Sequence, residues 1–392
     1  MRYLHSNNRK TCFPLLFTIL LEPKLMVKYT MVNFLFVAAA VMVFCYMLMN
    51  YMLAHKMPSK MFLAVVVWRL SFAIQTFVNH GDITMWGYFS IITVTLCMVF
   101  DYYMPIDPVG LVRGLTQVLT AYLVINLFTV ILWPNGIIDG MYFVGIRTRF
   151  TELVAAAMVF SVVLDQQLGR KFSLRTAFVL AVSAASILIE WVAAAIIGIA
   201  LGVITYFLLL RSQVFARALT LARALMVSLA VNIGVVIFNV QQYLSWVFVD
   251  LLGKDVNLTY RTELWALALV QIAKRPIFGY GQCVDGTFIQ WWRSMRLWQA
   301  HNQWLQLLHD GGIICVLCFI AIIVLCSHEL RKARDSHAAK PVLAGMIAFL
   351  IMMIVEIYSY TPYLFLILFL ACNVRSGKTD PMAIETAGEL VI

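Results

Sequence analysis

Long apolar blocks separated by short polar joints run along most of this 392-residue chain. Val192 to Leu210 and Val342 to Val355 contain no charged side chain. Barrel strands alternate in polarity along their length, whereas these blocks are apolar on every side, so they predict helices buried in lipid. Candidate spans fall near 31–54, 61–79, 85–104, 111–133, 150–165, 174–189, 191–210, 222–240, 303–326, 342–358 and 360–373. Most approach the ~17–25 residues that cross a bilayer, and those near 150–165, 174–189 and 360–373 are short. A further apolar run, Cys12 to Leu21, is shorter than a full span. It reads either as a half-span or as sequence ahead of a start at Met26 or Met31. No cleavable signal peptide is legible. The expected fold is an all-α polytopic membrane protein of eleven or twelve helices.

One stretch breaks the pattern. Residues 241–302 form a loop too long for a plain connection. They divide the chain into N-terminal spans (1–240), this loop, C-terminal spans (303–373) and a tail (374–392). The loop is rich in tryptophan, with Trp246, Trp265, Trp291, Trp292 and Trp298. An amphipathic run from Arg261 to Arg275 predicts a helix, capped by Thr259 or Thr262 and ended by Pro276. Its apolar face would lie along the membrane interface or against the bundle. No internal repeat of 20–50 residues is visible.

Composition strengthens the membrane reading. The chain is 62% hydrophobic and 12% charged, against about 45–50% and about 25% in soluble domains. The formal charge of +10 would suit nucleic acid, but its distribution does not. Lys56, Lys60, Arg113, Arg170, Lys171, Arg175, Arg211, Arg217, Arg223, Arg331, Lys332, Arg334 and Lys340 fall in one alternate set of loops, joined by Arg375 and Lys378 in the tail. That set is cytoplasmic by the positive-inside rule, and no nucleic-acid partner is expected. Lys24 and Lys28 run against the alternation. The loops at 135–149 and 241–302 then face outward. Of eight cysteines only Cys283 sits in a long polar stretch, so no disulfide framework is indicated. Cys315 and Cys318 have a zinc-like spacing but lie inside a span, where small apolar filler is the simpler reading.

Candidate chemistry gathers on the outward side. Arg147 and Arg149 precede a span, and Arg261 opens the loop helix. A guanidinium presents a rigid fork suited to phosphate oxygens, although arginines near helix ends also anchor at headgroups. His301 stands at the start of a span, where a neutral imidazole can accept a proton; an interfacial, solvent-facing histidine is the alternative. Asn302 would cap that helix or orient a sugar hydroxyl. His309 lies two turns on and reads as a packing residue. Arg69 and Glu356 lie inside spans. Intramembrane charges are functional candidates, but Arg69 is close enough to an end to snorkel, and Glu356 would line an acceptor cavity. Tyr280, Gln282 and Trp298 have side chains that suit sugars and are also ordinary loop content. Gly279-x-Gly281 after Pro276 marks a tight turn rather than a phosphate loop. No metal site and no cofactor are expected.

Taken together these residues resemble the O-antigen ligase and Wzy-type polysaccharide polymerase superfamily. Its pattern of Gly-Arg-Thr-x-x-Trp, Pro-hydrophobic-hydrophobic-Gly-x-Gly, His-Asn-x-x-Leu and Gly-x-x-Gly is similar to Arg261-Thr262-Glu263-Leu264-Trp265, Pro276 to Gly281, His301-Asn302 to Leu305 and Gly312 to Cys315. Tyr260 and Cys315 replace family glycines, which bears on turn geometry and subfamily. The resemblance implies a GT-C-like, metal-independent glycosyltransferase in the bacterial inner membrane, acting at the periplasmic face. Its substrate would be an oligosaccharide on undecaprenyl diphosphate, its surroundings membrane lipid, and a chain-length regulator a further partner. His301 would be the general base, and Arg261 with Arg147 or Arg149 would hold the diphosphate. The Arg-Thr-Glu-Leu-Trp form looks more like the exopolysaccharide polymerase branch than the ligases that transfer polymer to lipid A-core. A transporter or flippase is the alternative from another class, favoured by the helix count and disfavoured by the missing repeats.

Overall fold

The computed structural model describes residues 12–54, 57–244, 246, 250, 261–283, 290–291, 295–296 and 299–374. These form an all-α polytopic membrane protein whose helices follow the apolar blocks closely. In chain order they are α1 (Phe13–Leu20), α2 (Thr30–Leu53), α3 (Lys60–Leu70), α4 (Ala73–Val78), α5 (Ile83–Tyr103), α6 (Pro108–Leu132), α7 (Phe150–Gln167), α8 (Leu174–Ile189), α9 (Ala193–Arg211), α10 (Gln213–Ala218), α11 (Leu221–Ile237), α12 (Arg261–Lys274), α13 (Gln303–Lys332), α14 (Ala339–Met352) and α15 (Pro362–Asn373). Counting α3 and α4 as one broken helix, six spans among the described residues are long and apolar enough to cross a membrane. Two-residue strands at Gln290–Trp291 and Met295–Arg296 pair into a minimal ribbon.

Helix boundaries follow side-chain chemistry. Ser59, Asp82, Asp107, Ser173, Thr220 and Asn302 each accept a backbone N–H in the first turn that follows, satisfying donors that have no intrahelical partner. Asn302 accepts two, from Trp304 and Leu305, each at 3.1 Å.

The core is built around α15. Every residue from Tyr363 to Ala371 is buried, packed against α5, α13, α7 and α14. α2 lies at the other extreme. Met31, Phe34, Met42 and Met52 are all exposed, as an apolar face turned to lipid should be.

The run before Met26 is structural. Phe13, Phe17, Leu20 and Leu21 are buried, with Phe13 edge-on to Tyr103 and Phe17 edge-on to Phe100. α1 is therefore a half-span wedged beside α6, and it delivers Glu22 and Lys24 to the bundle end that carries His301.

Arg69 departs from its expectation. It does not snorkel; it is 2% exposed. Its guanidinium donates to Ser90 Oγ at 2.8 Å, to the Trp86 carbonyl at 2.7 Å and to Gln282 Oε1 at 3.4 Å. Its Nε and Nη2 are met by protein rather than headgroups, Nη1 has no hydrogen-bond partner among the described residues, and the side chain ties α3 to α5 and to the turn after α12.

Candidate active site

Three segments far apart in sequence meet at one end of the bundle: the start of α12, the residues before α13, and the irregular stretch between α14 and α15. At the centre is the buried carboxylate of Glu356. Arg261 Nη2 donates to its Oε1 at 2.5 Å, and His301 Nδ1 lies 3.6 Å from its Oε2. Burial opposes ionisation of Glu356. The neighbouring His301 imidazole, the Arg261 guanidinium and Arg149 together overcome that and hold the carboxyl below its usual range.

His301 is held in an uncommon backbone conformation, with φ +45°, a left-handed region that costs a non-glycine residue free energy. The flanking residues fix it there. The Ala300 N–H donates to Gln306 Oε1 at 2.8 Å, and the Ala300 carbonyl accepts from Trp265 Nε1 at 2.9 Å. On the other side Asn302 Nδ2 donates to Asn232 Oδ1 at 2.6 Å and to the Ile354 carbonyl at 2.8 Å. The imidazole therefore projects from a backbone pinned at both ends, its side chain 29% exposed.

α12 is the platform for Arg261. Leu264, Trp265, Ala268 and Ile272 pack on Ala300 and Leu305, flanked by Val235, Val236 and Val355. The amphipathic face is thus spent against the bundle. Beyond it, the segment from Pro276 to Gly281 wraps a break in α13. Gly311 and Gly312 leave helical geometry, and the exposed backbone groups pair with the wrapping segment. Tyr280 N–H donates to the His309 carbonyl, Gly281 N–H to the Asp310 carbonyl and Ile313 N–H to the Pro276 carbonyl, each at 2.8 Å. Gly312 has φ +62°, and a Cβ there would lie 2.2 Å from the Ile277 carbonyl oxygen. Only glycine fits such a crossing.

Below His301 the network continues into the core. Gln306 Nε2 donates to Asp310 Oδ1 at 2.8 Å and to Tyr360 Oη at 3.0 Å, and the Tyr360 hydroxyl donates to Asp310. Gln303 Oε1 accepts from the backbone N–H groups of Tyr358 and Ser359 at 2.7 and 3.0 Å. These two glutamines clamp the segment that carries Glu356.

The two outer arginines separate. Arg149 Nη1 donates to the Ile357 carbonyl at 2.7 Å and lies 3.9 Å from Glu152 Oε1, so it joins the Glu356 cluster. Arg147 is exposed and lies by Tyr142, whose hydroxyl donates to Glu190 at 3.0 Å. The remaining candidates are placed as follows. Asn302 is spent on capping and on Asn232 and Ile354. The Tyr280 ring stacks on His309 and its hydroxyl donates to the Gln271 carbonyl at 3.1 Å. Gln282 is buried between Arg69 and Thr76, whose Oγ1 accepts from its N–H at 2.9 Å. Tyr280 is thus packed into the framework, while Gln282 Nε2 is buried with no hydrogen-bond partner among the described residues. Trp298 lies outside the described residues. Glu356 bridges Arg261 and His301. Among the described residues no group of three or more His, Cys, Asp or Glu side chains is gathered for a metal.

Two residues that the sequence reading did not name as site candidates lie beside Arg149. Glu152, one turn into α7, accepts a hydrogen bond from Thr361 and faces Arg149; a carboxylate three residues after Arg149 was the available signal. Lys24 is the other. Burial, then Arg149, pushes its ammonium down to about 8, and Nζ sits 4.7 Å over the Phe89 ring. Its breach of the charge alternation was the signal. A mostly apolar cleft between α7, α8, α9 and α14 is lined by none of the candidate site groups.

Residues 176–320 match the family model described as O-antigen ligase. Over that segment the chain is similar to O-antigen ligases, which supports the resemblance to the O-antigen ligase and Wzy-type polymerase superfamily. No curated protein matches it significantly. The matched ligase segment includes Arg261 and His301. Arg149 and Glu356 lie outside it and reach it only through folding. The O-antigen ligase superfamily consists of membrane enzymes of ligase or polymerase type that act on lipid-linked polysaccharide.

Proposed function

We propose that this protein is a membrane glycosyltransferase that joins undecaprenyl-diphosphate-linked oligosaccharide repeats into exopolysaccharide or O-antigen at the periplasmic face of the inner membrane. One observation carries the reading: a single buried carboxylate, Glu356, holds a guanidinium on one oxygen and an imidazole near the other. A base and a cation fixed side by side are what displacement of a diphosphate requires. The orientation is supported by the basic loops, which lie at the opposite end of α7 and α13 from the site.

In this reaction the acceptor hydroxyl oxygen attacks the anomeric carbon of the donor. The bond from that carbon to the diphosphate oxygen breaks, and the hydroxyl proton passes to His301 Nε2. The leaving diphosphate gains negative charge, which the remaining donors of Arg261 and Arg149 stabilise. Glu356 keeps Nδ1 turned inward, leaving Nε2 for the acceptor. It acts through His301 and Arg261 and is a positioning residue.

A second reading rests on the description of the matched family, which names a ligase: transfer of finished polymer to lipid A-core. Analysis of lipid-linked sugars in a deletion strain separates the two. A polymerase loss accumulates single repeat units, whereas a ligase loss accumulates long lipid-linked polymer. Units trapped on the cytoplasmic side would indicate a flippase and overturn both.

A further inference from the structure

The mostly apolar cleft between α7, α8, α9 and α14 lies toward the end of the bundle away from His301, and the proposed reaction does not use it. Its volume is about 270 Å³, close to the ~300 Å³ at which small-molecule pockets begin. The gap follows from how the helices pack. α14 is the back wall. A Cβ on Gly345 of α14 would lie 2.3 Å from Val159 Cγ2 of α7, and one on Gly202 of α9 would lie 3.0 Å from Ala348 Cβ of α14. Both α7 and α9 are drawn onto α14, yet they meet each other only narrowly, so a furrow is left between them. Ala155, Val159, Gly202, Ala344 and Ala348 form its buried floor, while Phe207 and Leu210 on its rim are exposed. Exposed apolar side chains on a spanning helix face lipid, so the furrow opens sideways into the bilayer.

Length and charge narrow the occupant. Along α7 the lining runs from Ala155 to Asp165, about 15 Å of helix. That is the depth of one leaflet, half of the ~30 Å hydrocarbon core. At its far end the furrow becomes basic. Lys171 lines it, is exposed and makes no ion pair among the described residues. Arg170, Arg211 and Lys340 each adjoin a lining residue in the chain. The acidic lining residue, Asp165, is neutralised: its oxygens are taken by Arg175, the Ser173 N–H and the Thr176 hydroxyl. A basic mouth over an apolar furrow one leaflet deep matches an anionic headgroup above an acyl chain. A zwitterionic headgroup offers that mouth no net charge. A polyprenyl diphosphate fits less well, because in the proposed reaction its charged end belongs beside Glu356, at the opposite end of the bundle.

We infer that this furrow holds one acyl chain of an anionic glycerophospholipid, drawn from the leaflet opposite the Glu356 site, with the phosphate headgroup at Lys171. The inference requires only that the chain spans a membrane and does not depend on the transferase reading. The test is native mass spectrometry of the purified full chain, exchanged in detergent against equal amounts of dioleoyl phosphatidylglycerol and dioleoyl phosphatidylcholine. The two probes share their acyl chains and differ in charge. Wild type should retain one phosphatidylglycerol in preference to phosphatidylcholine by about fivefold or more, the scale of one basic side chain at an anionic surface. K171E should lose that preference. V162W on α7 and L180W on α8 replace half-buried lining residues, fill the furrow from two sides and should lose both lipids. Thermal unfolding in detergent checks that each variant is folded, and K171E, an exposed substitution, decides the matter even where a tryptophan variant fails to fold. Equal retention of the two lipids by wild type, an unchanged preference in K171E, or full retention of phosphatidylglycerol by folded V162W and L180W would overturn the site. Displacement of phosphatidylglycerol by an equal concentration of undecaprenyl phosphate would also overturn it, in favour of a polyprenyl occupant.

Discussion

Two carboxylate–arginine pairs of the same length sit at opposite ends of the bundle. Arg175 meets Asp165 at 2.5 Å, and Arg261 meets Glu356 at 2.5 Å. Their surroundings differ. Asp165 also accepts from the Ser173 N–H at 2.9 Å and the Thr176 hydroxyl at 2.6 Å, all within eleven residues. Its oxygens are spent stapling the α7–α8 hairpin. Glu356 draws its partners from 55 and 95 residues away, and both partner side chains stay partly exposed, at 29% and 22%. A carboxylate whose oxygens are taken by donors of one hairpin stabilises a turn, whereas a carboxylate bridged by distant residues gathers separate segments of the chain at one place. Equal distance therefore does not mean equal role.

That contrast can be broken by substitution. The largest effect is expected at Arg261. R261K keeps the charge but loses the planar fork, and polymer formation by the purified enzyme should fall about 10²-fold or more. Full activity would reduce Arg261 to a charge anchor. D165N should do the reverse, lowering stability by about 1–3 kcal/mol through lost charged hydrogen bonds while each folded molecule keeps its turnover. Thermal unfolding in detergent alongside specific activity separates the two behaviours.

Acid should also distinguish the site. The Glu356 carboxyl is held below its ordinary 4.5, so its stabilising contribution is complete above that value and is lost as pH falls through the lower folded value. Melting temperature followed into acid should show this loss in wild type and lack it in E356Q. The smallest effect is expected at Arg147. R147A should stay within about fivefold of wild type, the scale of an exposed charge, while R149A loses far more. Equal losses would contradict the separation of the two arginines.

The helices were legible because their apolar blocks are long; Asn302 was read as a cap, whereas Ser173 and Asp107 emerge as caps in the structure. His301 and Arg261 were legible through motif order. Glu356 was visible only as a charge inside a span, because its role depends on a bridge closed by tertiary packing. Tyr280 and Gln282 drew notice because their side chains suit sugars; in the fold the Tyr280 hydroxyl meets Gln271 and Gln282 Oε1 meets Arg69, while Gln282 Nε2 has no hydrogen-bond partner among the described residues. Lys24 was legible as an anomaly in charge alternation, and the half-span α1 explains it.

The central claim is that Glu356 acts through His301 rather than beside it, and a double-mutant cycle on the rate of sugar transfer tests this most directly. H301A alone should lose about 10²–10⁴-fold, the range that positioned proton transfer supplies. Adding E356Q to H301A should cost little more than the Arg261 contribution that remains, so the two losses should fall well short of multiplying. Fully multiplicative losses, with both proteins folded, would contradict the account.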